Sequence, residues 1–301
     1  MEKKERFVKA KKIYENKYKK LLLIPIIFFL LSISILGFAK ISTGEFIGKD
    51  VGLTGGITVT IQTTSQLNVD NIKEGLEDEL NTEVRVRELT SISTGGIIGY
   101  TFELKEVSDE DEIIDAISKV TGLDLDSAKY SVETTSAALG SSFFQNAMKA
   151  VVIAFIAMMI VVFIYFRKLV VSGAIILSII FDVIGTLAVM NIIGIKLSTA
   201  GVAALLMVIG YSVDTDILLS TKLIKRKFGS VTHRLYNAMN TGLTMQFTTL
   251  VVFIVMYLLS PAYALKEIAI ILIISIIIDI VSTWIQNAGI IRLYLEKKHH
   301  G

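Results

Sequence analysis

The chain has 301 residues, of which 52% are hydrophobic, and a formal net charge of only +2 at neutral pH. A composition this apolar excludes an ordinary water-soluble protein, and the absence of cysteine excludes disulfides and thiol chemistry. The small net charge conceals a very uneven distribution of charges along the chain.

Six apolar stretches are long enough to cross about 30 Å of hydrocarbon as helices. They are Leu21–Ala39, Asn146–Phe166, Leu169–Ile193, Ser198–Thr221, Thr241–Ser260 and Ile268–Ile291. The first is too long for a cleaved signal peptide and has no clear small-residue cleavage site, so we predict an uncleaved span. The predicted organisation is a basic segment 1–20, a first span 21–39, a soluble region 40–144, five spans within 145–292 and a tail 293–301.

Basic residues mark the loops that lie on one side of the membrane. Nine Lys and Arg lie in the first twenty residues, and others follow the second, fourth and sixth spans, namely Arg167, Lys168, Lys222, Lys225, Arg226, Lys227, Arg234, Arg292, Lys297 and Lys298. With six spans all these segments fall on the same side of the membrane, which the positive-inside rule makes the cytoplasm. We therefore predict a multi-pass protein of the plasma membrane with both termini cytoplasmic.

The region Lys40–Phe144 carries the opposite bias, with 19 Asp and Glu against 8 Lys and Arg. Alternation and capping signals predict six elements, which are strands Ile57–Gln62, Glu83–Leu89, Gly96–Glu103 and Lys129–Glu133 and helices Val69–Leu80 and Asp109–Val120. The order β-α-β-β-α-β predicts an extracytoplasmic α+β domain of the ferredoxin-like type. Its acidic surface is either a solvated face or a polypeptide-binding face, and the sequence leaves both open.

Four carboxylates lie inside the apolar runs, where ionisable groups are costly and mark candidate functional sites. At ~1.5 Å per helical residue, Asp214 is about 12 Å from Lys222, Asp182 about 20 Å from Lys168 and Asp279 about 18 Å from Glu267. These three are therefore predicted near mid-depth on three spans. Asp216 is shallower, about 9 Å from Lys222 on the same count, and is predicted to reach headgroup water.

Asp214 and Asp216 are two residues apart and point in roughly opposite directions on a helix. Within the six spans the sequence offers one basic residue, Lys149, at the outer end of the second. A mid-depth carboxyl without a base at its level favours the protonated form. Such a group is either a structural carboxyl bonded to a hydroxyl or a proton carrier, and the four aspartates are the candidate proton relay. Thr241, Thr244 and Thr248 add hydroxyls to one face of the fifth span.

The motifs carry a family resemblance. The run Gly210-Tyr211-Ser212-Val-Asp214 resembles the fourth span of the SecD/SecF family of protein-export membrane accessories, most closely archaeal SecF, within the resistance-nodulation-division superfamily. Leu53-Thr-Gly55-Gly56-Ile is similar to the family's Gly-Gly signature after the first span, and Ala138-Leu-Gly140 and Thr241–Met245 also fit. The six-span architecture matches along the whole chain.

Two positions differ from the family pattern. Gly52 stands where the signature has Asp, and Asp50 lies two residues earlier. Bacterial members bring an Arg into the intramembrane charge cluster, whereas the fifth span here offers Asn237 and Asn240 near its start.

The resemblance implies an accessory of Sec-dependent export that works with SecD, the Sec channel and an unfolded polypeptide, uses the proton-motive force, and places the coupling acid at Asp214. It implies no enzymatic activity, no cofactor and no metal. The partners that it implies are these proteins and the lipid bilayer, without a nucleic acid. Two alternatives remain open on the sequence. One is a proton-driven exporter of lipids or small molecules, and the other is a scaffold that stabilises the translocon without conducting protons.

Overall fold

The computed structural model describes residue 14 and residues 17–90, 96–105, 109–125, 129–226, 228–260 and 262–300. Its soluble domain contains strands β1 (Gly56–Gln62), β2 (Val84–Thr90), β3 (Ile97–Leu104) and β4 (Lys129–Thr135) and helices Val69–Leu80 and Glu110–Thr121. The strands form one antiparallel sheet in the order β2-β3-β1-β4. This topology confirms the predicted ferredoxin-like domain.

The domain forms because its strands alternate and its helices are capped. Ile57, Val59 and Ile61 point from β1 into the core, where Val59 is fully buried and lies opposite Phe102 of β3. Both helices begin at side-chain caps, Asn68 Oδ1 and Asp109 Oδ1, which accept hydrogen bonds from the free backbone N–H groups of the first turn. The two helices cover one face of the sheet, and buried residues of β1, β2, β3 and both helices form one core, against which the half-buried Val132 of β4 packs.

Six helices in the described part of the chain are long and apolar enough to cross a membrane, as predicted. In chain order these spans are Tyr18–Thr43, Ala137–Phe166, Leu169–Ile192, Thr199–Lys225, Val231–Leu259 and Tyr263–Lys297. The second and fifth helices begin earlier than their apolar stretches, after the caps Ser136 and Ser230. Apolarity locates the segment within the lipid, whereas capping chemistry fixes where the helix starts.

The third, fourth and sixth spans form the centre of the membrane domain. In the most apolar stretch of each of these three spans, at least half of the residues are buried within the protein. In the first, second and fifth spans the corresponding share is at most 17%. The central spans are therefore enclosed by protein, and the peripheral spans present most of their surface outwards. All four membrane aspartates belong to the central spans.

Two central spans contain a π-helical turn. The fourth span ends in the π turn Thr221–Lys225, and the sixth contains the π turn Ser282–Asn287. Such wide turns are rare and are frequent at functional sites.

The domain is joined to the second span by direct backbone contact. Gly55 has φ +88°, and a Cβ there would lie 2.5 Å from Ala137 Cα. A Cβ on Gly140, one turn further along the second span, would lie 2.8 Å from Gly55 N. Gly56 has φ +144°, and its Cβ would meet Leu104 O at 2.2 Å. The Gly-Gly motif and Gly140 thus form one joint that side chains cannot enter.

Candidate functional site

Three of the four membrane aspartates lie together in the centre of the bundle. Asp182 of the third span, Asp216 of the fourth and Asp279 of the sixth are all fully buried. The prediction that Asp216 reaches headgroup water is wrong, because the third and sixth spans cover its face of the fourth span. We call these three residues the carboxylate cluster.

Asp279 is the most extensively hydrogen-bonded member of the cluster. Its carboxylate accepts from Gln246 Nε2 at 2.7 Å, Thr283 Oγ1 at 2.9 Å, Thr215 Oγ1 at 3.0 Å and Ser212 Oγ at 3.2 Å. A buried carboxyl requires hydrogen-bond partners to replace its lost hydration. The Thr215 hydroxyl also contacts Ser212 O at 2.9 Å, so its single hydrogen serves only one of these two acceptors.

Asp182 shares a donor with Asp279. Its Oδ1 accepts from Ser282 Oγ at 2.6 Å, and its Oδ2 contacts Ser212 Oγ. A hydroxyl has one hydrogen, so Ser212 can donate to only one of the two carboxylates that it contacts. Both contacts are hydrogen bonds when the other carboxyl is protonated and donates to Ser212. Ser212 therefore joins the two carboxyls into a unit that suits one shared proton.

Asp216 is less well satisfied. Its Oδ1 accepts from Asn287 Nδ2 at 2.6 Å, and its Oδ2 is buried without a hydrogen-bond partner. Within the described ranges, no Lys, Arg or His forms an ion pair with any of the three carboxyls. Apart from one another, the three carboxyls thus have only hydroxyl and amide groups as polar neighbours.

A second layer of residues holds Asp279 in place. Gln246 donates to Asp279, and its Oε1 accepts from Trp284 Nε1 at 2.8 Å. The indole lies directly on Gly242, where a Cβ would be 2.3 Å from the ring. Trp284 and Asn287 belong to no recognised motif and were not predicted from the sequence as site residues. The spacing Asp279–Thr283 at i, i+4 on one helix was the available signal for the donors of the sixth span.

Asp214 lies outside the cluster. Its side chain is exposed on the outer face of the fourth span, in one stripe with Ala203, Met207 and Gly210. A Cβ on Gly210 would have no neighbour within 4 Å. Tyr211, the next motif residue, is half-buried, and Ser212 points inwards to the cluster. Asp214 makes no hydrogen bond or ion pair with any described residue, so its carboxyl is open to whatever covers this face.

A separate charged junction ties the soluble domain to the membrane domain. Arg87 of β2 bonds to Asp50 at 3.1 Å and to Glu103 of β3 at 2.7 Å, and its guanidinium stacks 3.8 Å from the ring centre of Tyr263. Tyr263 is the first residue of the helix that carries Asp279. Asp50 also caps the short helix Val51–Thr54 through Gly52 N. This Arg87 junction was missed in the sequence, because its members lie far apart along the chain.

Glu103 has an unusual acidity within the junction. Burial, reinforced by the negative charge of Asp50, raises the pKa of Glu103 from 4.5 to about 7, although the Arg87 guanidinium acts in the opposite direction. Glu103 as a whole residue is 7% exposed, which explains why desolvation prevails over the ion pair. The junction therefore takes up a proton near neutral pH.

The sequence of this chain is similar to a known protein family and to known archaeal proteins. Residues 115–297 match the family model described as "Protein export membrane protein SecD/SecF, C-terminal". The protein-export membrane protein SecF of Methanocaldococcus jannaschii is 41% identical over 93% of this chain and 96% of its own length. The corresponding protein of Pyrococcus furiosus is 34% identical over 96% of this chain and 95% of its own length.

Solved structures show the same fold. The translocon-associated membrane protein SecDF of Thermus thermophilus superposes with a TM-score of 0.70 at 17% identity over 93% of this chain. A SecDF structure in a super-membrane-facing form gives a TM-score of 0.61 at 19% identity over 92% of this chain. The chain spans 38% of the length of each SecDF chain.

The fold and the buried carboxylates define a class, a polytopic membrane protein built as one six-span unit with a single α+β domain. The family model and the archaeal relatives make the assignment specific. The chain belongs to the SecD/SecF family of protein-export membrane proteins.

Proposed function

We propose that the chain is an accessory subunit of Sec-dependent protein export that pairs with a SecD-like membrane subunit and uses the proton-motive force. The family assignment supports the export role. The observation that carries the rest is the exposed, unpartnered Asp214 on a central span. A carboxyl on the outer surface of a bundle is unfavourable against lipid and favourable against a polar protein face.

The partner is a second six-span unit. The solved SecDF chains are longer than this chain, which corresponds to 38% of them. The stripe Ala203, Met207, Gly210 and Asp214 includes two small residues, Ala203 and Gly210, and small residues allow helices to pack closely in membranes. A second unit on this stripe would place Asp214 at the interface between two halves, which is where related transporters hold their coupling sites.

Proton coupling is assigned to Asp214 first. Asp214 can exchange protons along a subunit interface, whereas Asp182, Asp216 and Asp279 are enclosed. A charge that crosses the membrane gains ~2.3 kcal/mol per 100 mV, enough to bias the orientation of a small domain. The Arg87 junction offers a mechanical link between the soluble domain and the membrane spans. It attaches the domain to Tyr263 at the start of the sixth span, and the sixth span packs along the fourth. The domain would hold or release the emerging polypeptide.

Export into sealed membrane vesicles, with and without a proton gradient, tests the proposal. Asp214→Asn should retain basal export and lose the part that the gradient stimulates. Asp216→Asn, on the opposite face of the same helix, is the matched comparison. Asp216→Asn should lower export by the same factor with and without the gradient. The ratio of export with the gradient to export without it should therefore equal that of the parent chain. Full gradient stimulation in Asp214→Asn would overturn the coupling role and leave the non-conducting scaffold.

The partner and the orientation have their own tests. Mild detergent extraction from native membranes should recover the chain with a larger SecD-like polypeptide, and recovery of free monomer alone in several detergents would contradict the pairing. In right-side-out vesicles, protease should cleave within the domain and not within residues 223–236, which we assign to the cytoplasm. The reverse cleavage pattern would contradict the assigned orientation of the termini.

A further inference from the structure

A cavity of about 410 Å³ lies where the soluble domain meets the membrane spans. One wall is formed by the ends of two spans, with Ala39 and Thr43 of the first and Asn191 of the third. The opposite wall belongs to the domain, with Glu83 directly before β2 and Lys105 directly after β3. We call this space the interface cavity, and no step of the proposed function uses it.

The walls of the interface cavity are tied to one another. Asn191 Nδ2 donates a hydrogen bond to Phe46 O at 3.0 Å, which joins the end of the third span to the segment that follows the first. Lys196, in the loop after the third span, lines the cavity and contacts Glu83 of the domain directly. The cavity is therefore bounded by segments that polar contacts hold in place.

The interface cavity lies at the level of the lipid headgroups. The first span ends at Thr43 and the third at Ile192, and the ends of membrane-spanning helices mark the surface of the bilayer. Leu31 and Ile35 precede Ala39 by two turns and one turn on the same stripe of the first span. Leu31 is exposed and Ile35 is half-buried. An apolar chain can therefore run from the cavity along this stripe into the hydrocarbon.

The interface cavity carries an excess of positive charge. Lys105 and Lys196 both pair with the single carboxylate of Glu83, and Lys105 Nζ lies 3.4 Å from Glu83 Oε2. Glu45, which also lines the cavity, pairs with Lys49 at 2.8 Å. Among these described residues, three ammonium groups thus face two carboxylates, which leaves one positive charge in excess. An ammonium group has three hydrogens, so Lys105 and Lys196 can bind an anion and still keep Glu83.

A phospholipid headgroup matches the depth, the charge and the apolar stripe together. Its phosphodiester carries one negative charge and accepts hydrogen bonds from ammonium groups, which bind phosphate as point charges. Lysines beside the membrane attract such lipids, whereas a free phosphate has no chain to cover Leu31 and Ile35.

We propose that the interface cavity binds the headgroup phosphate of a phospholipid from the leaflet on the domain side of the membrane. The phosphate contacts Lys105 of the domain and Lys196 of the membrane part, and it therefore fastens the domain to the spans. Lipid binding is a property of the isolated chain and does not depend on the export role.

Thermal unfolding of the purified full-length chain in detergent tests the proposal. Three probes are added stepwise, namely dioleoyl phosphatidylglycerol, dioleoylglycerol, which has the chains without the phosphate, and glycerol phosphate, which has the phosphate without the chains. We expect a saturable rise in Tm with the phospholipid alone, since a ligand that binds the folded state stabilises it. An equal rise with dioleoylglycerol would overturn the phosphate contact, and an equal rise with glycerol phosphate would overturn the lipid as its source. No rise with any probe would overturn the site itself.

Two substitutions locate the phosphate. Lys196→Ala should weaken the apparent affinity for phosphatidylglycerol roughly tenfold, the loss of one hydrogen bond between charged groups. Glu83→Gln keeps the size of the side chain and removes the carboxylate that competes for both ammonium groups, so it should strengthen the affinity severalfold. If the ion pairs only held the cavity in shape, Glu83→Gln would loosen the cavity and weaken lipid binding instead.

Lys119→Ala, which breaks an exposed ion pair with Glu79 on the same domain, is the control and should bind the lipid as the parent chain does. If Lys196→Ala does not fold, Glu83→Gln decides. Unchanged affinity in Lys196→Ala, or unchanged or weaker affinity in Glu83→Gln, would overturn the proposal.

Discussion

At the residue scale, the glycines of the membrane helices differ sharply in what surrounds them. Gly140 abuts the backbone of Leu53 and Gly55, whereas Gly173 of the third span has no atom within 4 Å of a would-be Cβ. Both are helical, so alanine gains the same helix propensity at each position. Only the contact with the domain distinguishes them.

We therefore expect Gly140→Ala to destabilise the protein by about 1–3 kcal/mol, because a backbone contact cannot move aside. The matched Gly173→Ala should be neutral or stabilise by up to ~1 kcal/mol. Thermal unfolding in detergent compares the two. Equal Tm values for both variants would show that the domain is not held through Gly55.

Glu103 makes a prediction about pH. Its folded pKa of about 7 lies above its ordinary 4.5, so between these values the folded protein holds a proton that the unfolded chain releases. Stability should therefore fall as pH rises from 4.5 to 7, by up to about 3 kcal/mol, and should not change further above 7 on this account. Glu103→Gln should flatten this slope, while Glu88→Gln, an exposed site on β2, should not. Unfolding curves measured from pH 4 to 8 in both variants provide the check, and an unchanged slope in Glu103→Gln would contradict the assignment.

At the element scale, the sixth span holds the site together. It carries Asp279, then a π turn with three side chains that reach the cluster or its second layer, namely Ser282, Thr283 and Trp284, and then Asn287 at its end. A π turn holds one residue more than an α-helical turn, and each residue of an α-helix advances the chain by about 100° around the axis. In a regular α-helix the side chains after the turn would therefore point about 100° away from their present direction. The π turn is therefore what allows one span to contact Asp182, Asp216 and Gln246.

The packing of the fifth span against this turn is open to a direct test. Gly242→Ala should push the Trp284 indole away, break its bond to Gln246 and destabilise the fold by about 1–3 kcal/mol. Because Trp284 is 3% exposed and is the only tryptophan, its emission should shift to longer wavelength. Gly173→Ala again serves as the control. Unchanged emission in Gly242→Ala would contradict the close contact.

At the scale of the whole molecule, the domain and the membrane bundle form one connected body through two contacts. The glycine joint fixes the domain to the second span, and the Arg87 junction fixes it to the sixth. The second contact is ionic and senses pH through Glu103. It is therefore the contact whose strength should change with pH.

Removing the guanidinium should release the second contact. Arg87→Ala leaves Asp50 and Glu103 buried without their partner, and loss of one member of a buried pair costs about 3–5 kcal/mol. Lys119→Ala, which breaks an exposed ion pair with Glu79 on the same domain, should cost at most about 1 kcal/mol. Hydrogen exchange should accelerate at Asp50–Thr54 in Arg87→Ala and not in the control. Unchanged exchange there would show that Arg87 does not hold the domain.

The sequence by itself determined the number of spans, the ferredoxin-like order of the domain and the presence of carboxylates in the membrane. These features depend on local quantities: the length of an apolar run, the alternation along a strand and the type of residue at a cap. The sequence also placed Asp214 and Asp216 on opposite faces of one helix, because a period of 3.6 residues requires it.

Only the tertiary structure decided which of those faces is enclosed. Asp216 is enclosed with Asp182 and Asp279 because the third and sixth spans pack on its side, and no local pattern in the fourth span states which neighbours it has. The same holds for Asn287, which lies 71 residues from Asp216, and for Arg87, which lies 37 residues from Asp50. Contacts between distant residues are set by how whole helices pack, and that is a property of the assembled bundle and not of any segment.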